Sequence, residues 1–288
     1  MKRVSIIGTG RLGTSLGLAL SKKGFTIGGL VDRSLSRAKK SRRIIGAGRA
    51  ATRAASAVAR ADLVIIAVPD EEIASVAKTL ARTAGPWEAK IVFHTSGIRP
   101  SRDLAPLKAL GAMCASFHPV QSFPRMDMPP SHFQNIFIGL EGDERAVLRA
   151  KTVSRKLGAR PFLVRSGDKS LYHAACSMTS NLVVPLIHMA GDLLRKIGVP
   201  DRDAIHLLLP LLVGTLQNVK HLDGAGALTG PISRGDVSTV KRHLDALGRF
   251  PSARAVYRIL GAEALRLVPK KKLPPLKIRT LRKLLEGK

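Results

Sequence analysis

Acidic residues, aromatics and cysteines are all scarce in this chain. Only 20 of its 288 residues are Asp or Glu, against 48 Lys and Arg, which gives a formal charge of +28. Aromatics make up 4%, with a single tryptophan. Too few of them are available for a base-stacking surface of the kind single-stranded nucleic acids use. The basic residues are also spread through almost every segment, with denser clusters only at 33–43 and 270–283. They read as solvated helix faces with no specific nucleic-acid role, and their secondary effect is to favour anionic ligands. The two cysteines, Cys114 and Cys176, each lie inside an apolar segment. That excludes a disulfide framework and any thiolate metal site, and it suits a reducing, cytoplasmic compartment. The longest strongly apolar run, Leu207 to Leu216, is interrupted by Pro210 and Gly214 and is far short of the ~20 residues a membrane helix needs. Nor does the start, MKRVSIIGTG, read as a secretory signal, because its apolar stretch is short and runs into glycines.

Those glycines are the most informative feature present. A short apolar strand, Val4 to Ile7, leads into Gly8-Thr9-Gly10-Arg11-Leu12-Gly13 and then into helix-compatible sequence, Thr14 to Lys23. A second apolar strand ends at Asp32, about twenty residues past the third glycine, the layout of a dinucleotide-binding turn. The first glycine permits the tight turn, the second lets backbone approach a pyrophosphate, and the third lets helix pack on strand. Asp32 suits the ribose hydroxyls of NAD, whereas Arg33, Ser34 and Arg37 suit the 2′-phosphate of NADP. The spacing leaves both open.

Apolar runs at 4–7, 26–31, 63–68, 91–94, 112–117, 135–140 and 161–164 read as strands with helical segments between several of them, which is the sequence of a doubly wound sheet. Around Ser166-Gly167-Asp168 the character changes, and only helices are expected beyond: one long helix over 169–197, another after Pro200, then 236–248, 251–267 and 276–286. The fold class expected is α/β, with an N-terminal Rossmann sheet domain over 1–166 and an all-α domain over 167–288.

The third strand and its exit, Ala61-Asp62-Leu63-Val64-Ile65-Ile66-Ala67-Val68-Pro69-Asp70, sharpen this picture, as do His118-Pro119-Val120-Gln121-Ser122-Phe123 and Leu228-Thr229-Gly230-Pro231-Ile232-Ser233-Arg234-Gly235-Asp236. With these stretches the chain resembles the superfamily of 6-phosphogluconate and β-hydroxyacid dehydrogenases, ketopantoate reductase and pyrroline-5-carboxylate reductase. Within it, the chain resembles a branch whose helical half is a domain of unknown function. The resemblance implies an NAD(P)-dependent oxidoreductase, with NADP slightly favoured because reductases of this superfamily often carry such residues after the acid that ends the second strand, and a homodimer formed through the helical half; it names no substrate. The chemistry expected is hydride transfer to a C=O or C=N carbon of a small, anionic substrate in a cleft between the domains. The resemblance implies no metal. A cofactor-binding sensor without catalysis and a deazaflavin-dependent NADP reductase are the competing readings.

Carried over residue by residue, the resemblance places Gly8, Thr9, Gly10, Arg11, Leu12 and Gly13 at the pyrophosphate, with Val68, Pro69 and Ser96 near the nicotinamide. In relatives, a lysine and an asparagine four residues later hold the substrate oxygen. This chain departs from that pattern, having His173, Ser177 and Asn181 at i, i+4 and i+8, which on a continuous helix share one face. His173 is the expected general acid with Ser177 and Asn181 orienting, unless the row is a structural polar network. His118, ahead of a proline, is the alternative proton carrier. Arg234 would clamp a carboxylate or phosphate, or pair with Asp236, itself a good helix N-cap.

Overall fold

In a computed structural model, which describes residues 3–222, 224–269 and 271–287, the chain divides into two compact units, 1–180 and 181–288. The first is built on an eight-stranded sheet: β1 (Arg3–Ile7), β2 (Thr26–Val31), β3 (Arg49–Ala51), β4 (Leu63–Ile66), β5 (Ile91–His94), β6 (Met113–Pro119), β7 (Phe137–Gly142) and β8 (Arg160–Leu163). Its order is β3-β2-β1-β4-β5-β6-β7-β8. All neighbours pair in parallel except β6 and β7, where His118 lies opposite Gly139 and Ser116 opposite Glu141. Helices α1 (Arg11–Lys22), α2 (Leu35–Ile45), α3 (Ala55–Ala59), α4 (Ile73–Thr83), α5 (Ala105–Lys108) and α6 (Glu144–Leu157) connect the strands.

The strands are apolar throughout because both faces of the sheet are covered. One face packs Val4, Ile6 and Phe93 against Leu16 and Leu20 of α1; the other packs Val64, Ile66 and Val92 against Ile73, Ala77 and Leu80 of α4. Strand order reverses between β1 and β4, and ligands of open α/β sheets bind at the carboxyl ends of strands beside such a switch point.

Strand β3 has no counterpart in the sequence expectation. It is a three-residue edge strand, Arg49-Ala50-Ala51, with no β-branched or aromatic side chain, paired to Gly29, Leu30 and Val31. Strand β4 also ends at Ile66, earlier than the apolar run suggests.

The first unit ends with α7 (Lys169–Thr179). Here the long helix expected over 169–197 is in fact two: Ser180 leaves helical geometry, with φ −122° and ψ −73°, and α8 (Val183–Lys196) begins afresh. The break falls in Ser177-Met178-Thr179-Ser180-Asn181, whose side chains compete for backbone groups. The Thr179 hydroxyl donates to the carbonyls of Ala175 and Cys176.

The second unit is helical among the described residues: α8, α9 (Asp201–Ala204), α10 (Leu209–His221), α11 (Gly224–Ala227), α12 (Pro231–Arg234), α13 (Val237–Ala246), α14 (Pro251–Leu267) and α15 (Pro275–Glu286). Its core joins Val240 and Leu244 to Leu265, Leu281 and Leu285. No helix among the described residues is long and apolar enough to cross a membrane.

Candidate active site

The glycine turn lies between β1 and α1, at the switch point. Gly8 has φ +94°, and a Cβ there would run into the Ala67 carbonyl, so this position needs glycine on two grounds. A Cβ on Gly13 would run into the Gly8 carbonyl. Gly10 differs, because its Cβ direction opens into space with no atom within 4 Å beyond its chain neighbours. Gly10 also caps α1 without a side-chain bond, and the first helical turn holds no acidic residue. Free N–H groups and an uncrowded backbone make this helix start an anion cradle.

A cleft of about 820 Å3 extends from Gly10, past Val68 and Pro69, to Arg33, Arg37 and Arg53. That volume is in the range of ligand sites. Asp32 does not face it freely. Its Oδ2 accepts from the Thr9 N–H and hydroxyl, both at 3.0 Å, and its Oδ1 accepts from the Ser34 N–H at 3.0 Å and from Arg37 at 3.4 Å. The carboxylate, 8% exposed, therefore braces the turn, and Thr9, wholly buried, is its partner there. Ser34 caps α2, while Arg33 pairs with Glu72 at 2.9 Å. Arg11 opens α1 at the surface, whereas Leu12 leans on the core. Arg53 follows β3, the edge strand absent from the sequence expectation, which is why pattern reading missed it.

Further along the sheet, β5, β6 and α7 bring together a second group of polar residues, all within the first unit. His118 Nδ1 lies 2.6 Å from Tyr172 Oη, and the His118 and His173 rings meet edge-on with centroids 6.0 Å apart. Both rings pack on Gly97, where an added Cβ would come within 2.7 Å of His173 Cδ2 and 2.8 Å of His118 Cε1. The Tyr172 hydroxyl rests over Gly139 in the same way, 2.7 Å from where its Cβ would be. Beneath them Lys169, 3% exposed, donates from Nζ to Ser116 Oγ at 2.7 Å, and Ser116 donates to the Ser96 carbonyl at 3.0 Å. Ser96 is pinned throughout: its N–H donates to His94 Nδ1, and its hydroxyl accepts from Ile98 and Arg99.

Burial sets the protonation states. It holds His118 down at about 4, helped by the charges of His173 and Lys169. His94, fully buried, is held down to about 3 by the same cause, with Lys169 adding to it. Burial lowers Lys169 as well, opposed by Glu141 and Asp70, and among the described residues no carboxylate lies within ion-pair distance of it. Burial raises Tyr172, and the neighbouring Cys176 thiol adds to the rise. The arrangement thus offers neutral imidazoles beside a protonated phenol.

Of the sequence candidates, His118, His173 and Ser96 come together here, while Ser177 lies one turn further along α7. Asn181 is exposed beyond the helix break and so is not on the His173 face. Arg234 is exposed on α12 of the second unit. Asp236 does cap α13, accepting from the Thr239 N–H at 3.0 Å and hydroxyl at 2.7 Å, and among the described residues it forms no ion pair with Arg234. Sequence reasoning missed Lys169 and Tyr172. Tyr172 adjoins His173 and Lys169 precedes it by one turn, but nothing in the helical period shows that both point at β6.

Comparison with known proteins agrees with this architecture. A Rossmann-like domain model matches residues 1–119, and the model of a domain of unknown function, DUF2520, matches residues 136–264. No curated protein matches the chain. Among solved structures, a candidate NADP oxidoreductase, BF3122 from Bacteroides fragilis, is 24% identical with a TM-score of 0.74, the alignment covering 92% of this chain and 98% of that one. Protein TM1727 from Thermotoga maritima is 28% identical with a TM-score of 0.71, covering 92% and 97%. A reductive aminase from Aspergillus terreus, in complex with NADPH and ethyl levulinate, is 20% identical with a TM-score of 0.59, covering 100% and 95%. Residues 1–119 are thus similar to a Rossmann-like domain and residues 136–264 to a DUF2520 domain, and the fold is shared with solved pyrroline-5-carboxylate reductases and prephenate dehydrogenases.

Proposed function

We propose that this protein is an NADP-dependent oxidoreductase that moves a hydride between the nicotinamide and a C=O or C=N carbon of a small, anionic substrate. The observation that carries the cofactor reading is the engagement of Asp32. With both carboxylate oxygens already accepting from the protein, the ribose end of the cleft is left to Arg53, joined by Arg33 and Arg37 once these turn from Glu72 and Asp32 to a 2′-phosphate. Gly10 and the uncapped start of α1 would hold the pyrophosphate, and Val68, Pro69 and Ser96 would border the nicotinamide. When bound, NADPH supplies the hydride. The chain's own part is to orient the substrate and manage the proton, and His118, at the carboxyl end of β6, is the group best placed for that. Lys169, buried and with no carboxylate at ion-pair distance among the described residues, holds its charge more readily beside an anion, which favours an anionic substrate.

A homodimer belongs to the same reading. Helix α10 is apolar around most of its circumference, yet none of its residues is buried; Leu211, Val213, Leu216 and Val219 are between 54% and 70% exposed. Such a helix in a folded protein is ordinarily covered.

The test is a binding titration with NADPH and NADH in parallel, followed by turnover on a panel of keto acids, aldehydes and cyclic imines. NADPH binding at least tenfold tighter than NADH, with oxidation by a panel member, is the expected result. Tight binding without turnover on any member would favour the sensor reading, and a copurified deazaflavin spectrum would replace NADPH as the reductant.

A further inference from the structure

We infer that Tyr172 locks His118 as the Nε2–H tautomer, so that the site presents a hydrogen-bond donor and is built to reduce a C=O or C=N group; this rests on the oxidoreductase reading above. The contact between Tyr172 Oη and His118 Nδ1, at 2.6 Å, holds one proton between two atoms. A phenol is a far stronger acid than a neutral imidazole N–H, and an imidazole nitrogen is a far better acceptor than a phenol oxygen. The proton therefore sits on oxygen and Tyr172 donates. The other group beside the hydroxyl is the Cys176 thiol, a weak acceptor one turn along α7. With Gly139 beneath it and the Phe162 ring edge-on at 5.7 Å, the phenol has little room to turn elsewhere.

Neutrality of the imidazole completes the argument. Lys169 and His173 on α7 face His118, and His94 on β5 is close enough to interact with it electrostatically. Glu141 on β7 acts on Lys169, with its oxygens held by the N–H and hydroxyl of Ser101. Burial, aided by His173 and Lys169, keeps His118 uncharged at neutral pH. A neutral imidazole whose Nδ1 lone pair is already engaged carries its only proton on Nε2.

The direction of chemistry follows. Oxidising an alcohol requires a base to take the hydroxyl proton, and His118 has no free lone pair for it. Reducing a carbonyl or imine requires a donor to the developing alkoxide or amine, and Nε2–H is one. In that step the hydride and its two electrons go to the substrate carbon, oxidising NADPH, and the C=O or C=N double bond becomes single. The Nε2 proton passes to the oxygen or nitrogen as the Tyr172 proton moves to Nδ1; water then returns a proton to Nε2, leaving hydroxide, and the Nδ1 proton goes back to the phenolate oxygen. Tyr172 is thus a positioning residue acting through His118.

The test reads the tautomer directly, in the full-length chain without cofactor. Long-range 1H–15N correlation on 15N-histidine protein, with His118→Asn to assign the signal, should show His118 protonated at Nε2 and unprotonated at Nδ1 at pH 7. It should remain neutral down to about pH 5. In Tyr172→Phe the two tautomers should mix, with reductive kcat falling by roughly 10- to 100-fold while KM and NADPH affinity stay near wild type. A wild-type His118 protonated at Nδ1, or a tautomer unmoved in Tyr172→Phe, would overturn the proposal. A separate NADPH titration keeps the two claims apart, since loss of cofactor binding would sink the oxidoreductase reading and leave the tautomer result standing.

Discussion

Substituting Gly10 with alanine separates folding from ligand binding. The residue's backbone, φ −71° and ψ −162°, is open to alanine, and no atom beyond its chain neighbours lies within 4 Å of the new methyl. The structural cost is therefore small, under about 1 kcal/mol for a poorer N-cap, or no more than ~4 °C in Tm for a domain of this size. The methyl instead fills the approach to the uncapped α1 N–H groups. Displacing a pyrophosphate from one or two charge-assisted bonds, worth about 1.5–3 kcal/mol each, would weaken NADPH binding by roughly 10- to 100-fold or more. Gly13→Ala is the control: its methyl meets the Gly8 carbonyl and sits 3.2 Å from Ala67 Cβ, so backbone must move and stability should fall by roughly 1–3 kcal/mol or more. Isothermal titration with NADPH and a thermal melt of each variant make the comparison. If Gly10→Ala binds NADPH like wild type, the turn is not a phosphate cradle, whatever its sequence.

Gly97→Ala should cost about 1–3 kcal/mol from overpacking and shift the His118 and His173 ring signals together, because both rings lie under 3 Å from the new methyl; an unchanged melt and spectrum would contradict that packing. Arg53→Ala should weaken NADPH binding about tenfold, the worth of one exposed phosphate contact, and leave NADH unaffected; an equal loss for both would place Arg53 away from the 2′ position. Acid should destabilise the first unit. His118, held at about 4, stays neutral in the folded chain while the unfolded chain protonates near 6.5, so stability is lost as pH falls from 6.5 toward 4. At about 1.4 kcal/mol per unit, that is on the order of 2 kcal/mol by pH 5, with His94 adding in the same direction. Urea midpoints at pH 7 and pH 5 check it, and His118→Gln should remove about half of the difference, leaving the His94 share.

The sheet was largely legible because its strands are covered on both faces and so read as unbroken apolar runs, from Val4–Ile7 to Ile91–His94. Strand β3 was not, since Arg49-Ala50-Ala51 owes its strand state to pairing with β2 and to nothing in its own side chains. The glycine turn was legible as a motif, but the role of Asp32 was not: a carboxylate after β2 looks the same in sequence whether it faces a ribose or, as here, braces Thr9. The row His173, Ser177, Asn181 assumed a continuous helix, and the polar run at 177–181 ended it. His118 was found through its place before a proline. Its partners Tyr172 and Lys169 were invisible because their meaning comes from contacts with β6, over fifty residues away in sequence.

The one antiparallel pairing, β6 with β7, decides how α7 meets the site. Because β7 and β8 run against β6, the chain leaves β8 level with Leu140 and Phe117, below the carboxyl end of β6, and α7 then climbs past it. Lys169 meets Ser116 and, a turn later, Tyr172 meets His118, so position along the helix becomes depth in the site. The chemistry is therefore phased by the short linker at 164–168. Adding a single residue there would rotate α7 by about 100° and turn Lys169 and Tyr172 away together, without altering either of them.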